Sequence, residues 1–145
     1  MKKILFLFGL FCASILGIGC ESHDKIINFS ELPQQAQNFI NSHFAERQIS
    51  FVIKEDGEYE VRFNDGTKVD FSRKGEWETV DCNHLQMPQS VVDLLPKSIP
   101  TYITTNFADS FITKIEREKR SYNIELNNGL ELEFNSNGDF RRIDD

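Results

Sequence analysis

Apolar and polar residues alternate in two long stretches of the chain, and each stretch predicts a pair of strands. Apolar residues or threonine occupy the odd positions of 59–63 and 67–71, with mainly charged residues between them. Residues 122–126 and 130–134 show the same alternation. A period of two is typical of strands that bury one face and expose the other. The sequence therefore predicts two antiparallel hairpins.

The loop of each hairpin can be inferred from the same alternation. The apolar residues of two paired strands must share a face, so directly opposed residue numbers add to an even number and the loop has an odd length. Asn64-Asp65-Gly66 and Asn127-Asn128-Gly129 meet this condition. A three-residue loop is a type I turn followed by a left-handed residue, and Gly66 and Gly129 accept that conformation.

Apolar residues spaced by three and four precede each hairpin and predict helices. The first helical face consists of Leu32, Ala36, Phe39, Ile40 and Phe44. Ser30 is the predicted N-cap, and Pro33 is acceptable in the first turn. In the second region Pro100 would break one long helix, so two short helices are predicted, over about residues 88–95 and 99–107.

The two halves of the chain align with each other at an offset of 63 residues, from Leu32 with Leu95 to Trp77 with Phe140. Further strands are predicted near residues 50–55, 77–82, 112–118 and 139–143. The predicted fold is α+β, a tandem duplication of a unit in which helices precede a four-stranded antiparallel sheet. Helices cover one sheet face and the other face is open. The predicted division is a signal peptide (1–19), an N-terminal tether (20–27), a first repeat (28–82) and a second repeat (83–145).

The N-terminus has the features of a secretory signal. Lys2 and Lys3 precede an apolar segment, 4–18, that is too short to span a bilayer comfortably. The segment ends in Leu16-Gly17-Ile18-Gly19-Cys20, which resembles a bacterial lipobox, although Gly17 stands where leucine is usual. We expect Cys20 to be lipidated and the protein to lie in the periplasm or at the outer membrane. The alternative is simple cleavage, which would leave Cys20 free to pair with Cys82.

Composition narrows the classes of function. The net charge of −7 becomes −9 when the two signal lysines are removed, and this argues against nucleic-acid binding. It also disfavours membrane contact except through a lipid anchor at Cys20. The thirteen phenylalanines indicate an aromatic core. His84, two residues after Cys82, lacks further metal ligands, and no phosphate loop or nucleophile elbow is present, so we expect no enzyme.

The repeated pattern resembles a known family. Leu-Pro, a helix ending near Phe, the alternating strands around Asn-x-Gly, and a later Gly-x-Trp or Gly-x-Phe occur twice behind the signal. This pattern is similar to PepSY-like proteins of Bacteroides-type envelopes, whose fold is compared with β-lactamase inhibitor proteins. The resemblance covers about residues 28–145. It implies a duplicated α/β unit, a long antiparallel sheet and an envelope location, and it suggests a calcium-linked role for some members.

Two groups of residues on the predicted open face are candidates for binding. Glu125 is expected opposite Glu131, with Glu133 on the same side, and these carboxylates form a candidate site for a cation or a basic partner. Residues 135–139 lack the features of a calcium loop and predict another hairpin turn, so calcium is a possible ligand but no cofactor is expected.

Phe51 and Ile53 should point outward beside Arg62, as a candidate protein-binding patch. The diagonal pairs Glu60–Lys68 and Arg62–Asp70 should balance charge on the first hairpin. The sequence thus favours a non-enzymatic envelope binding module, inhibitor or sensor, with an unknown envelope protein as partner. A calcium- or ligand-responsive periplasmic protein is the alternative.

Overall fold

The computed structural model describes residues 24–144, and one antiparallel sheet of nine strands runs through this part of the chain. The spatial order of the strands is their order in the sequence. The strands are β1 (Lys25–Ile27), β2 (Ile49–Glu55), β3 (Glu58–Phe63), β4 (Lys68–Phe71), β5 (Trp77–Asp81), β6 (Ile112–Arg117), β7 (Ser121–Leu126), β8 (Glu131–Asn135) and β9 (Phe140–Asp144). The helices are α1 (Gln34–His43), α2 (Gln89–Val92) and α3 (Ser98–Asn106).

The predicted three-residue hairpin loops are confirmed. The Phe63 amide donates to the Thr67 carbonyl at 2.9 Å, and the Gly66 amide donates to the Phe63 carbonyl at 3.1 Å. Gly66 has a φ of +90°, which is the left-handed region expected of the last loop residue. The same pair of hydrogen bonds closes the turns at 126–130, 72–76 and 135–139, so the last segment is a hairpin turn as predicted.

The helices pack on one face of the sheet, and aromatic side chains fill the space between. Phe39 of α1 lies edge-on to Phe71, with ring centroids 5.7 Å apart, and stacks on Trp77. Tyr102 of α3 makes the corresponding contacts with Phe134 and Phe140. The inward residues of the central strands are fully buried, among them Val61, Val69, Val80, Ile115, Ile124 and Leu132. The expectation of an aromatic core is confirmed.

The start of the first helix differs from the prediction. Asn28, and not Ser30, caps a short 3-10 helix over Phe29–Glu31, and its amide donates to the Glu31 carboxylate at 2.7 Å. Leu32 precedes a proline and is therefore extended, so the chain cannot run helically into α1. Helix α1 begins after Pro33. The two short helices predicted around Pro100 are confirmed as α2 and α3.

The end of the predicted tether is also different. Lys25–Ile27 forms strand β1, which pairs antiparallel with β2, and Ile27 is buried in the core. These three residues therefore belong to the sheet and not to a tether. The predicted signal peptide and the lipidation site Cys20 lie outside the described residues. Within residues 24–144, no helix has the length and apolar content needed to cross a membrane.

The strands on the two sides of the sheet follow the same spacing. Strands β2 to β5 begin at residues 49, 58, 68 and 77, and β6 to β9 begin at residues 112, 121, 131 and 140, so each pair differs by 63. Pairing of β5 with β6 joins the two sets, with Val80 directly opposite Ile115. The result is one continuous sheet with a single face turned away from the helices.

Candidate functional site

The face of the sheet opposite the helices, here called the open face, carries two rows of outward side chains that cross the strands. Direct pairing from strand to strand defines both rows. The Ile53 row is Ile26, Ile53, Glu60, Asp70, Thr79, Glu116, Asn123, Glu133 and Arg142. The Phe51 row is Phe51, Arg62, Lys68, Asp81, Lys114, Glu125, Glu131 and Asp144. Their side chains are exposed or half-buried.

One end of the open face is apolar. Phe51 and Ile53 are half-buried on β2, and the guanidinium carbon of Arg62 lies 5.5 Å from the centre of the Phe51 ring. The structure thus brings the three predicted residues together. Ile26 of β1 lies directly opposite Ile53 and is 72% exposed. We call Ile26, Phe51 and Ile53 the apolar patch; sequence reasoning missed Ile26 because it was assigned to the tether.

The predicted diagonal ion pairs on the first hairpin are wrong. Arg62 instead pairs with Glu60 of its own strand, and Lys68 pairs with Asp81 of β5, with 3.9 Å between Nζ and Oδ2. Arg62 leans toward Phe51 on β2, away from β4, so its guanidinium is not available to Asp70. Lys68 has Asp81 directly opposite it and reaches this carboxylate instead.

Asp70 is the most perturbed carboxyl group on the open face. Burial first, and then the carboxylate of Glu60 on the opposing strand, raise the pKa of Asp70 to about 7. Lys68 and Lys114 act in the opposite direction but do not compensate. Asp70 therefore changes charge near neutral pH at the centre of the sheet.

The opposite end of the open face is acidic. Glu125 and Glu131 lie directly opposite each other on β7 and β8, as predicted. Burial raises the pKa of Glu125, Lys114 lowers it, and Asp81 and Glu131 raise it. We call these two residues the Glu125–Glu131 pair.

Glu133 does not share the environment of the Glu125–Glu131 pair. Its carboxylate binds Arg142 at 2.7 Å and Arg141 at 3.1 Å, both from β9. Three carboxylates were expected because the hairpin β7–β8 carries no basic residue, with Lys114 of the neighbouring strand as a partner for Glu125 alone; β9 supplies the positive charge beside Glu133. Within residues 24–144, the acidic end thus consists of two carboxylates, Glu125 and Glu131, without an ion pair of their own.

Lys114 lies between the two halves of the open face. It is directly opposite both Asp81 and Glu125, yet its Nζ contacts Glu116, two residues along its own strand. Burial acts to lower the pKa of Lys114, but the hydrogen bond and charge of Glu116 give a net increase. Lys114 is therefore a fixed positive charge that partly offsets Glu125.

The comparisons with known proteins agree with this architecture. A protein family described as "Putative beta-lactamase-inhibitor-like, PepSY-like" matches residues 19–62 and 57–142, which together cover most of the chain. The chain belongs to the PepSY-like family. The comparison with curated proteins found no match.

Three solved structures are similar to this PepSY-like chain. One, from Bacteroides thetaiotaomicron, is described as a "putative calcium-regulated periplasmic protein"; it is 40% identical with a TM-score of 0.79, and the match covers 84% of this chain and 97% of that one. A putative periplasmic protein from Bacteroides vulgatus is 35% identical, with a TM-score of 0.78 and coverage of 88% and 100%. Another from Bacteroides vulgatus, described as being of unknown function, is 30% identical, with a TM-score of 0.77 and coverage of 84% and 99%. These relatives support the predicted periplasmic location.

The candidate nucleophile and metal ligand of the sequence, Cys82 and His84, lie in different environments. Within residues 24–144, no three histidine, cysteine, aspartate or glutamate side chains are placed to hold a metal ion. Cys82 is fully buried, its Sγ is 3.7 Å from the Met87 sulfur, and burial raises the pKa of its thiol. His84 is exposed to solvent. The PepSY-like open face therefore offers an apolar patch and a carboxylate pair as its distinctive groups.

Proposed function

We propose that this PepSY-like chain is a non-enzymatic binding module of the cell envelope, and that its open face docks a partner protein. The observation that carries this proposal is the asymmetry of the open face, which has the apolar patch at one end and the Glu125–Glu131 pair toward the other. The inhibitor-like description of the family supports a binding role. The periplasmic relatives support the envelope as the place where binding occurs.

The arrangement specifies the chemistry of the partner. Exposed Ile26 beside Ile53 and Phe51 favours an apolar or aromatic anchor on the partner, since burying such side chains is the main gain in a protein interface. The Glu125–Glu131 pair favours a lysine or arginine, because an opposite charge relieves repulsion between opposed carboxylates. Five strand spacings of about 4.8 Å separate β2 from β7, so the two groups on the partner should lie roughly 24 Å apart.

Capture of a partner from envelope extract tests this proposal when it is combined with variants of both ends. Phe51→Ser should weaken retention of the captured protein, and Glu131→Gln should weaken it in a salt-dependent manner. Leu94→Ser is the matched apolar control, because Leu94 is exposed but lies on the helical side of the molecule. Glu46→Gln, at an exposed loop position, is the matched charge control. Equal retention by all four variants would contradict docking on the open face.

A calcium-responsive role is the second candidate. It is favoured by the description of the relative that is 40% identical and by the directly opposed Glu125 and Glu131. Calcium takes six to eight oxygen ligands, so most of the ligands would have to be water at such a pair. Millimolar calcium should then raise the melting temperature of the wild type more than that of Glu131→Gln. An increase no larger than that produced by sodium at matched ionic strength would exclude this candidate.

We further infer that the fold arose by tandem duplication of one helix-and-sheet unit. The constant spacing of 63 residues between corresponding strands supports this inference. So does the recurrence of one turn geometry at 63–67 and 126–130. The two ends of the open face would then be copies of one surface that diverged, one toward apolar and the other toward acidic side chains.

A further inference from the structure

Strand β9 has a neighbouring strand on one side only. Within residues 24–144 it pairs with β8, and its other side forms an edge of the nine-stranded sheet. Residues 141–144 are all exposed. The unpaired backbone groups of such an edge can accept an additional strand.

The first half of the sheet shows how the corresponding edge is used. Strand β5, which precedes β9 by 63 residues, is covered on its outer side by β6. Val80 lies directly opposite Ile115, and both side chains are fully buried. Beside them, Thr79 is opposite Glu116 and Asp81 is opposite Lys114. The segment of β6 that covers β5 is therefore Lys114-Ile115-Glu116.

Strand β9 carries the same three positions without a covering strand. Ile143 corresponds to Val80, but 42% of it is exposed to solvent. Arg142 and Asp144 correspond to Thr79 and Asp81, and their side chains point along the open face. An apolar side chain that is buried in one half of the sheet is thus left exposed in the other.

We propose that the edge of β9 pairs with β9 of a second copy of this chain. The two strands run antiparallel about a two-fold axis, with Ile143 opposite Ile143 of the second copy. In this register Arg142 of each copy faces Asp144 of the other. The incoming strand then presents Arg142, Ile143 and Asp144 in sequence. This is the same basic-apolar-acidic order that β6 presents to β5 with Lys114, Ile115 and Glu116.

Charge complementarity is the reason for assigning a second copy to this edge. Charged side chains on an edge strand normally prevent association with another strand. Here the two open-face charges of β9 are of opposite sign, lie on either side of Ile143 and pair with each other within the strand at 3.1 Å. A two-fold axis through Ile143 also places each of them beside the unlike charge of the second copy. Only short strands are joined, so the dimer should be weak and depend on protein concentration.

Disulfide trapping of the full chain in the envelope tests the register. Directly opposed residues of antiparallel strands have Cα atoms about 4.5–5.5 Å apart, within the range that a disulfide bridges. Ile143→Cys should therefore form a covalent dimer on a non-reducing gel. Arg141→Cys is the matched control on the same exposed strand: its two copies would be offset by four residues, or about 13 Å, which is too far to bridge.

Two outcomes of trapping would overturn the proposal. One is dimer formation by Ile143→Cys no greater than that by Arg141→Cys or by the wild type, which retains the same native cysteines. The other is a covalent product with a different protein, which would show that the edge accepts another chain.

Charge reversal provides an independent test in solution. Asp144→Arg places arginine opposite arginine, and Arg142→Asp places aspartate opposite aspartate, so each variant alone should sediment as a monomer at concentrations where the wild type dimerises. An equimolar mixture of the two variants restores both unlike pairs and should dimerise again. Unchanged dimerisation of the single variants, or no recovery in the mixture, would overturn the proposed register.

Discussion

At the scale of single residues, Asp70 shows how the sheet shifts the pKa of a carboxyl group that the sequence alone would place in water. It points to the open face, but burial and Glu60 raise its pKa to about 7. In the unfolded chain an aspartate titrates near pH 4. The folded state therefore binds the proton more tightly, and the free energy of unfolding falls as pH rises from about 4 through about 7.

Asp70→Asn should remove this loss of stability. At pH 8 the variant should be more stable than the wild type, by at most about 4 kcal/mol, because the shift is about three pKa units at about 1.4 kcal/mol each. At pH 4, where the wild-type carboxyl group is already mostly protonated in the folded state, the two should differ little. Urea denaturation at both pH values measures the difference. Asp109→Asn, at an exposed site, is the control, and an equal pH effect in that variant would contradict the assignment to Asp70.

Two glycines in hairpin turns allow backbone strain to be separated from steric contact. Gly129 and Gly138 have φ values of +83° and +87°. A Cβ at Gly129 would meet nothing within 4 Å, but one at Gly138 would lie 2.7 Å from the Pro96 Cβ and closer still to Ser98. Gly129→Ala should lower the free energy of unfolding by about 1 kcal/mol, through backbone strain alone. Gly138→Ala should lower it clearly more, because steric contact is added to the strain. Equal losses in urea denaturation would show that the turn does not pack tightly against the start of α3.

The sheet face to which a candidate side chain points was predictable wherever strand alternation determines it. The match of Val52 with Ile115 between the two halves directed Val52 to the core, and strand alternation then placed Phe51 and Ile53 outward near Arg62. The partner of Glu133 was not predictable, because a bulge in the pairing of β8 with β9 brings Arg141 as well as Arg142 to the carboxylate. The raised pKa of Asp70 was not predictable either, since it depends mainly on how far the folded sheet buries this carboxyl group.

At the scale of elements, hairpins were predicted well because their constraint is local. The parity of facing residues fixes the loop length without knowledge of the rest of the fold. Strand β1 was missed for the opposite reason. It has three residues, too few for a periodic signal, and its partner β2 lies more than twenty residues further along the chain. The start of α1 was misplaced because Pro33 was read as part of the helix, whereas it holds Leu32 in an extended conformation.

Adjacent residues of β1 provide a test of whether it belongs to the sheet. Ile27 is buried against the core and Ile26 is exposed on the open face. Ile27→Ala should destabilise by about 2 kcal/mol or more, and Ile26→Ala by less than about 0.5 kcal/mol. Urea denaturation of the two variants under one set of conditions measures both. If the segment were only a tether, both substitutions would be equally mild.

At the scale of the whole molecule, the sheet separates a face that packs against the helices from the open face. The helices and aromatic clusters are on one side, so substitutions on the open face can change binding without removing the core. This division follows from the sequence, since period-two strands and amphipathic helices require it. The identity of the partner does not follow, because docking chemistry depends on a second molecule whose shape the alternation does not encode.

The position of the first strand also bears on how the molecule would sit at a membrane. If Cys20 carries a lipid anchor, as its lipobox-like setting predicts, five residue positions separate it from the start of β1. Five residues span at most about 18 Å. The β1 edge would therefore be held near the bilayer, and the β9 edge, eight strand spacings or about 38 Å across the sheet, would be free to meet a second copy.

This orientation depends on acylation of Cys20, which can be tested directly. Cells that produce the full chain should incorporate a fatty-acid analogue into the wild type, and Cys20→Ala should abolish both labelling and retention in the membrane fraction. Cys82→Ala is the matched control, because Cys82 is fully buried and cannot carry a lipid in the folded protein. It should remain labelled. Release of wild type and Cys20→Ala as soluble protein in equal amounts would show that the signal is simply cleaved and that the sheet is free of the membrane.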